Sequence, residues 1–535
     1  MASRTRKFFL NALSLTATAL LIRGVSVIFN VYVSNKAGSE AMGLFSLLGS
    51  IYSFSLTLAT AGINLGTTRI ISDALAVGDT RLAKRSAAHA IAVCSVSGII
   101  ATILLLTFAE PLSLNVLGDS RAIRPLRVLA LTLTPVALSS CLSGYFTAVR
   151  RVKLNASFGI ISQFVKIIAT VLLLGRLVLL GTEQACIALV IGGAIAEFFS
   201  LALSLMLYLY DKRKLTSPLT STNAQSDNGN SSITRKLLSI TLPVTLSACI
   251  RSALSMLQHI LIPKGIEKSG KSWGAALSSY GALHGMALPL LLFPSAILMA
   301  FSGLLIPEIS ECCAQKDTAR LERTAYRTLS LSLFFSIGVS CIMLFFSTEL
   351  GLCIYSNTET AQYIRILAPL VPVMYIDSAV DAILKGSGHH VYSMNVNIAD
   401  TLTACIFALT LIPRIGIWGY IISIYATEIL NTTLSLIKMF SVTKMRPRIL
   451  HQIAMPILCA IGATNLSKLV LNLLHVTLTR GALLTVGIIL ASLIYVALLF
   501  ITKTVGGEER EFLFASTLTE KQYIRHAALE MSKKE

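Results

Sequence analysis

Charge is what this chain has least of. Asp, Glu, Lys and Arg make up 13% of its 535 residues, against roughly 25% in soluble globular proteins. Acid is the scarcer sign, with 26 Asp+Glu against 45 Lys+Arg. So little charge cannot coat a water-soluble surface of this size, which excludes a soluble globular enzyme. The ten cysteines follow no zinc or disulfide spacing. They fall mostly inside apolar runs and read as small packing residues. No metal motif or Gly-rich phosphate loop stands out, and no cofactor is expected. The loops that would face the outside are short, which argues against a membrane glycosyl- or acyltransferase. The net charge of +19 would suit nucleic acid, but no basic patch is interleaved with aromatics.

What the chain has instead is long hydrophobic runs, with 54% hydrophobic residues overall. Runs of about 20 apolar residues are the mark of membrane-crossing helices. They predict an all-α polytopic membrane protein with about fourteen spans, at 8–33, 42–68, 87–108, 126–148, 156–179, 186–210, 237–262, 277–302, 329–347, 363–385, 391–413, 417–438, 450–474 and 481–502. The basic start followed by an apolar stretch is not read as a signal peptide, because the stretch continues past Arg23 without a small-residue cleavage site. With Arg4, Arg6 and Lys7 inside, most Lys and Arg fall on the cytoplasmic side, as the positive-inside rule requires. Both termini are therefore expected in the cytoplasm and the protein in the cytoplasmic membrane.

The chain repeats itself. LIRGVSVIFNVYVSNK at 21–36 aligns with CIRSALSMLQHILIPK at 249–264, so Arg23 matches Arg251, Asn30 matches Gln258 and Lys36 matches Lys264. Further on, Asp79-Thr80 matches Asp317-Thr318, Leu126 to Ala130 matches Ile364 to Ala368, Arg176 matches Arg414, and Glu197 matches Glu428. The organisation predicted is a six-helix lobe at 1–210, a polar Ser/Thr/Asn-rich linker at 211–236, a second six-helix lobe at 237–440, two further helices at 441–505 and a mixed-charge tail at 506–535. Each lobe has an even number of spans, so the pseudo-two-fold runs along the membrane normal, as in transporters built from parallel repeats.

A charge in mid-span costs at least about 2.5–3.5 kcal/mol on insertion scales. Arg23 and Arg251 sit at equivalent depth and are the leading candidates for binding an anion, with Lys166 on span five as a third. Arginine suits phosphate because its planar fork bonds bidentately and stays charged when desolvated. The alternative is that the arginines lock helices together by ion pairs. Glu197 and Glu428 are then the natural partners; otherwise they are ion-coupling sites. Asp377 and Asp381 lie four apart and share a helix face, where they could relay protons, bind a cation or pair with Lys166. His259 and His284 read as separate packing histidines rather than titrating switches. Pro289 and Pro294 bracket the middle of span eight and allow it to bend.

The segment GSEAMGLFSLLGSIYSFSLTLATAGINLGTTRIISDALAVGD at 38–79 resembles the start of polysaccharide-transport and lipid II flippases of the MATE-like superfamily, and is most similar to their sporulation branch. Gly144-Tyr145-Phe146, Ser162-Gln163, Tyr280-Gly281, Pro307-Glu308 and Lys385-Gly386-Ser387-Gly388 extend the match across about 5–445. The chain departs from it at 143–148 and at Lys166, where an acidic residue is usual. The resemblance implies a transporter rather than an enzyme. It would flip undecaprenyl-pyrophosphate-linked oligosaccharide by alternating access, in a bilayer shared with cell-wall synthesis proteins, with spore cortex as one destination. It also implies that the last two helices make a groove for the isoprenoid tail; Asn465 and Lys468 give span thirteen a face turned from lipid. A multidrug/cation antiporter of the same superfamily is the competing reading. Cationic drugs need carboxylates, however, and the first helix carries Arg23 and no acid.

Overall fold

The computed structural model describes residues 2–214, 230–445, 450–473 and 479–505. Among them every element is helical. The N-terminal series is α1 (Ala2–Thr60), α2 (Ile63–Ala76), α3 (Thr80–Pro111), α4 (Ile123–Ala148), α5 (Val152–Leu177) and α6 (Thr182–Lys214). Next come α7 (Asn230–Lys268), α8 (Trp273–Tyr280), a π-helical stretch at Gly281–Ala287, α9 (Leu288–Leu292) and α10 (Ser295–Ala314). The series continues with α11 (Thr318–Phe345), α12 (Ser347–Tyr355), α13 (Thr358–Leu367), α14 (Val371–Gly386) and α15 (His390–Thr410). It ends with α16 (Ile412–Ile415), α17 (Ile417–Thr443), α18 (Met455–Leu473) and α19 (Arg480–Ile501). The middle of the expected linker, 215–229, and the expected tail, 506–535, lie outside the described residues.

Twelve helical stretches among the described residues are long and apolar enough to cross a membrane. Two features account for the difference from fourteen. Spans one and two are joined in one apolar stretch, Leu21–Ala76, yet Gly38, with φ +82° and ψ 170°, is non-helical and separates two helices across a kink, between the two expected spans. The expected span at 391–413 is the helix α15, and it is not among the twelve. Asn395, Asn397 and Asp400 dilute its apolar character. Pro294 acts as expected: the helix stops at Leu292 and restarts at Ser295. On α3, Val96, Ile99, Ile100, Ile103 and Phe108 are exposed. Such a stripe on a helix is stable only against lipid.

Contacts divide the chain into two units. The first holds 1–290 and 398–427. Its close packing explains part of the glycine pattern. A Cβ on Gly43 would meet the Leu277 carbonyl oxygen at 2.1 Å, and one on Gly281 would meet the Ser39 oxygen at 2.0 Å. Both residues have to be glycine for α1 to pack backbone to backbone on α8 and the π turn. Gly144 likewise touches the α2 backbone at Asn64, 2.7 Å from its ideal Cβ, while Tyr145 and Phe146 fill the core beside Tyr208. At one edge of this unit Arg121 Nη1 donates to Glu40 at 2.8 Å and to Thr182 at 2.9 Å. The same guanidinium reaches Asp119 Oδ2 at 2.8 Å, and Trp273 Nε1 donates to that oxygen at 2.9 Å. One arginine thus ties together the ends of α4, α6 and α8 and the α1 helix. Burial raises the Asp119 carboxyl, but the hydrogen bonds from Arg121 and Trp273 outweigh it and hold the group below its ordinary 3.8.

The second unit holds 291–397 and 428–535. Its core joins α11, α14, α18 and α19 through residues such as Phe334, Ile337, Val380, Ala463 and Leu499. Tyr495 donates to the Phe334 carbonyl at 2.7 Å, and Gln452 to Ser330 at 2.7 Å. The last two helices therefore pack on α11 as an integral layer.

Candidate functional site: cations within the membrane helices

The charges and polar groups singled out on the first lobe all lie in the first unit. On α1, Arg23 is half-buried and lies three residues before Ser26. Gln163 Nε2 of α5 donates to Ser26 Oγ at 3.1 Å. The neighbouring Ser162 donates to the Ala196 carbonyl of α6 at 3.1 Å. The Ser162-Gln163 pair thus ties α5 to α1 on one side and to α6 on the other. One turn along α5 stands Lys166, half-buried, within electrostatic reach of Glu197 on α6. Glu197 in turn acts on Tyr52 of α1, whose hydroxyl accepts a 2.9 Å hydrogen bond from Thr132. Glu197 is thus placed beside a lysine. This also gives a physical context to the departure at 166: a cation here faces an acid on the adjacent helix.

Further along α1, Asn30 Nδ2 lies 3.5 Å from the Gly285 carbonyl, inside the π turn. A π turn leaves a carbonyl out of the regular ladder, and Asn30 reaches it. Arg251 lies on α7 with its side chain exposed. The two repeat-related arginines therefore stand in different surroundings, Arg23 half-buried and Arg251 open.

His259 and His284 are not separate. Their rings pack at 4.7 Å. His259 Nδ1 shares a 3.0 Å hydrogen bond with Tyr280 Oη, and His284 Nδ1 a 3.2 Å bond with Tyr420 Oη. Tyr280 stacks on His284 with 6° between the rings. This closed tetrad joins α7, α8, the π turn and α17. The residues lie far apart in sequence, and no spacing announces it. Asp400 of α15 was also missed; it stands beside Thr427 of α17.

The remaining candidates belong to the second unit. Asp381 is held by Lys385 one turn on, with a 2.5 Å separation, and by the Ser393 hydroxyl. It is engaged within its own unit. Asp377 on α14 and Glu428 on α17 are half-buried. Among the described residues no group of three or more His, Cys, Asp or Glu forms a metal-binding cluster.

Comparison with known proteins agrees with this architecture. The family described as polysaccharide biosynthesis protein matches residues 8–313, and the MatE family matches 274–410. The chain is 28% identical over 438 residues to stage V sporulation protein B of Bacillus subtilis (strain 168), covering 81% of this chain and 83% of that protein. It is 20% identical to sporulation protein YkvU of the same organism, over 80% and 94% of the two chains. Among solved structures, the lipid II flippase MurJ in an inward closed conformation superposes with a TM-score of 0.66 at 14% identity, over 92% of this chain and 99% of that one. An inward-facing MATE family multidrug transporter of the MOP superfamily gives 0.54 at 16% identity, over 81% and 100%. The fold is that of these membrane transporters, and the chain belongs to the polysaccharide biosynthesis protein family.

Proposed function

We propose that the protein is a flippase that carries undecaprenyl-pyrophosphate-linked oligosaccharide, a peptidoglycan precursor or related polysaccharide unit, across the cytoplasmic membrane by alternating access. The observation that carries this reading is the set of cations set into membrane helices of one unit: Arg23 on α1, Lys166 on α5 and Arg251 on α7. A lipid-linked sugar presents a diphosphate that has to leave water and cross about 30 Å of hydrocarbon. Cationic donors fixed along that path replace its hydration. Arg251, exposed on its helix, is the first to meet the phosphates. Arg23 and Lys166 hold them deeper, with Glu197 tempering Lys166 when the site is empty. The repeat gives two lobes, 1–210 and 237–440, whose rocking moves the site from one face of the membrane to the other. Both termini face the cytoplasm. The likeness to stage V sporulation protein B supports a cell-wall glycan as cargo, with spore cortex as one destination.

The test is translocation of fluorescent lipid II in proteoliposomes, wild type against Arg251→Ala. Hydrogen bonds to charged groups are worth about 1.5–3 kcal/mol each, so the variant should lose roughly tenfold or more in rate while remaining folded. Full activity in a well-folded variant would remove Arg251 from the cargo path. A second reading, cation antiport, draws on the MatE match at 274–410, which includes Asp377, Asp381 and Asp400. It requires sodium- or proton-driven export of a cationic dye that Asp400→Asn abolishes.

A further inference from the structure

A groove in the second unit has the character of a binding site that the cation set above does not use. It lies between α12, α18 and α19 and encloses ≈ 1070 Å³. Small-molecule sites run to about 300–1,000 Å³. Its walls carry two cations, Lys468 and Arg480, and one acid, Glu349. Leu352, Leu471, Leu483 and Leu484 supply apolar lining.

The depth of the groove follows from where the spanning stretches stop. One ends at Phe345, next to Phe346 on the groove wall; α18 runs to Leu473, just past the lining residue Leu471; a third stretch begins at Arg480. Three span ends converge on one place, so the groove sits at one edge of the bilayer, at headgroup level. Cations belong at that depth because lipid phosphates are there, while the leucines extend toward the acyl chains.

Lys468 is held ready. Its Nζ donates to the Phe345 carbonyl at 2.5 Å and lies 5.1 Å from the centre of the Phe346 ring. Glu349 is 3.9 Å away, beyond hydrogen-bond distance. An ammonium has three N–H donors, and among the described residues one of them finds an acceptor. The groove therefore carries a net positive charge, with donors on hand and an apolar wall beside them.

We propose that this groove holds an anionic phospholipid of the bilayer, its phosphate against Lys468 and Arg480 and one chain along Leu471 and Leu484. This does not depend on what the protein transports. The expected role is that of a bound lipid packing the last two helices onto α12.

Cys353 makes the idea testable. It lines the groove, and of the ten cysteines, all free and all among the described residues, it is the exposed one. The full-length protein in detergent micelles is treated with a maleimide, and the modification of Cys353 is followed by peptide mass spectrometry. Phosphatidylglycerol should slow the reaction several-fold relative to phosphatidylcholine. The variant Lys468→Gln/Arg480→Gln should need roughly tenfold or more phosphatidylglycerol for the same protection. Its rate in phosphatidylcholine should match wild type, which shows that the groove is intact; Arg480→Gln alone serves if the double variant does not fold. Equal rates in the two lipids, or protection that survives loss of both cations, would overturn the proposal. Protection by inorganic phosphate as strong as by phosphatidylglycerol would make this an anion site instead. Protection by undecaprenyl phosphate alone would assign the groove to the cargo, and the resident-lipid proposal would be wrong.

Discussion

Among the places where the first unit sets a cation against an acid, two are built very differently. At the edge, Arg121 makes hydrogen bonds of 2.8–2.9 Å to Glu40, Asp119 and Thr182, and Trp273 completes the Asp119 carboxylate. Donors and acceptors are matched, and four helices are fastened. Inside the membrane span, Lys166 and Glu197 are within electrostatic reach of one another, and the side chains around them, Gln163, Ser26 and Tyr52, hold positions rather than close a network on the charges. A saturated cluster stabilises a fold. Among the described residues the Lys166 ammonium meets Glu197 only electrostatically, which is what the proposed phosphate role for Lys166 requires. The contrast turns the proposed role of Lys166 into something that can be tested against the structural role of Arg121.

The largest expected effect breaks the edge cluster. Arg121→Ala leaves Asp119, with a side chain 4% exposed, as an unmatched buried charge. Stranding one partner of a buried pair costs about 3–5 kcal/mol. The thermal midpoint in detergent should fall by several degrees, while transport per folded molecule stays unchanged. Gly43→Ala acts on the same unit without touching charge. Its Cβ would sit 2.1 Å from the Leu277 oxygen, and overpacking of this kind costs typically about 1–3 kcal/mol. A midpoint equal to wild type would mean that α1 and α8 are not in backbone contact.

The central pair calls for a double-mutant cycle. Lys166→Gln and Glu197→Gln should each lower thermal stability, and the double variant should lose less than the sum, with a coupling of order 1 kcal/mol. Lys166→Gln should also slow transport, whereas a purely structural pair would leave the rate per folded molecule untouched.

The smallest effect is in pH. Asp119 is depressed below 3.8 when folded. Its contribution is therefore complete above the unfolded value and is lost as pH falls through the folded one. Between pH 5 and 8 this group should leave the midpoint flat, with a loss appearing only below about 3.8. Asp119→Asn should remove that acid limb.

Much of the fold was legible because lipid imposes a simple code. Runs of about 20 apolar residues announced spans, and Arg23, Arg251 and Lys166 stood out because charge is costly there. The glycines at 43, 144 and 281 could be seen as a pattern; that they serve close backbone approach needed coordinates. Partnerships were the least legible part. Glu197 lies 31 residues from Lys166, and only the packing of α5 on α6 shows that they meet. His259 and His284 looked independent because helical spacing does not bring them together; a π turn and the packing of α7 do. The Arg121 cluster carries no sequence signature, since its three partners, Glu40, Asp119 and Thr182, come from separate segments. Gly38 reads in sequence as the break between the first two spans, and its non-helical backbone, φ +82° and ψ 170°, does separate two helices there.

The measurement that tests the account most directly compares two arginines in one assay. Arg121→Gln and Arg251→Gln are each scored for thermal midpoint and for lipid II translocation per folded molecule. The account predicts that Arg121→Gln loses stability and keeps its rate. Arg251→Gln should keep its stability and lose roughly tenfold or more in rate. The opposite assignment, with Arg251→Gln unstable but fully active when folded, would contradict it.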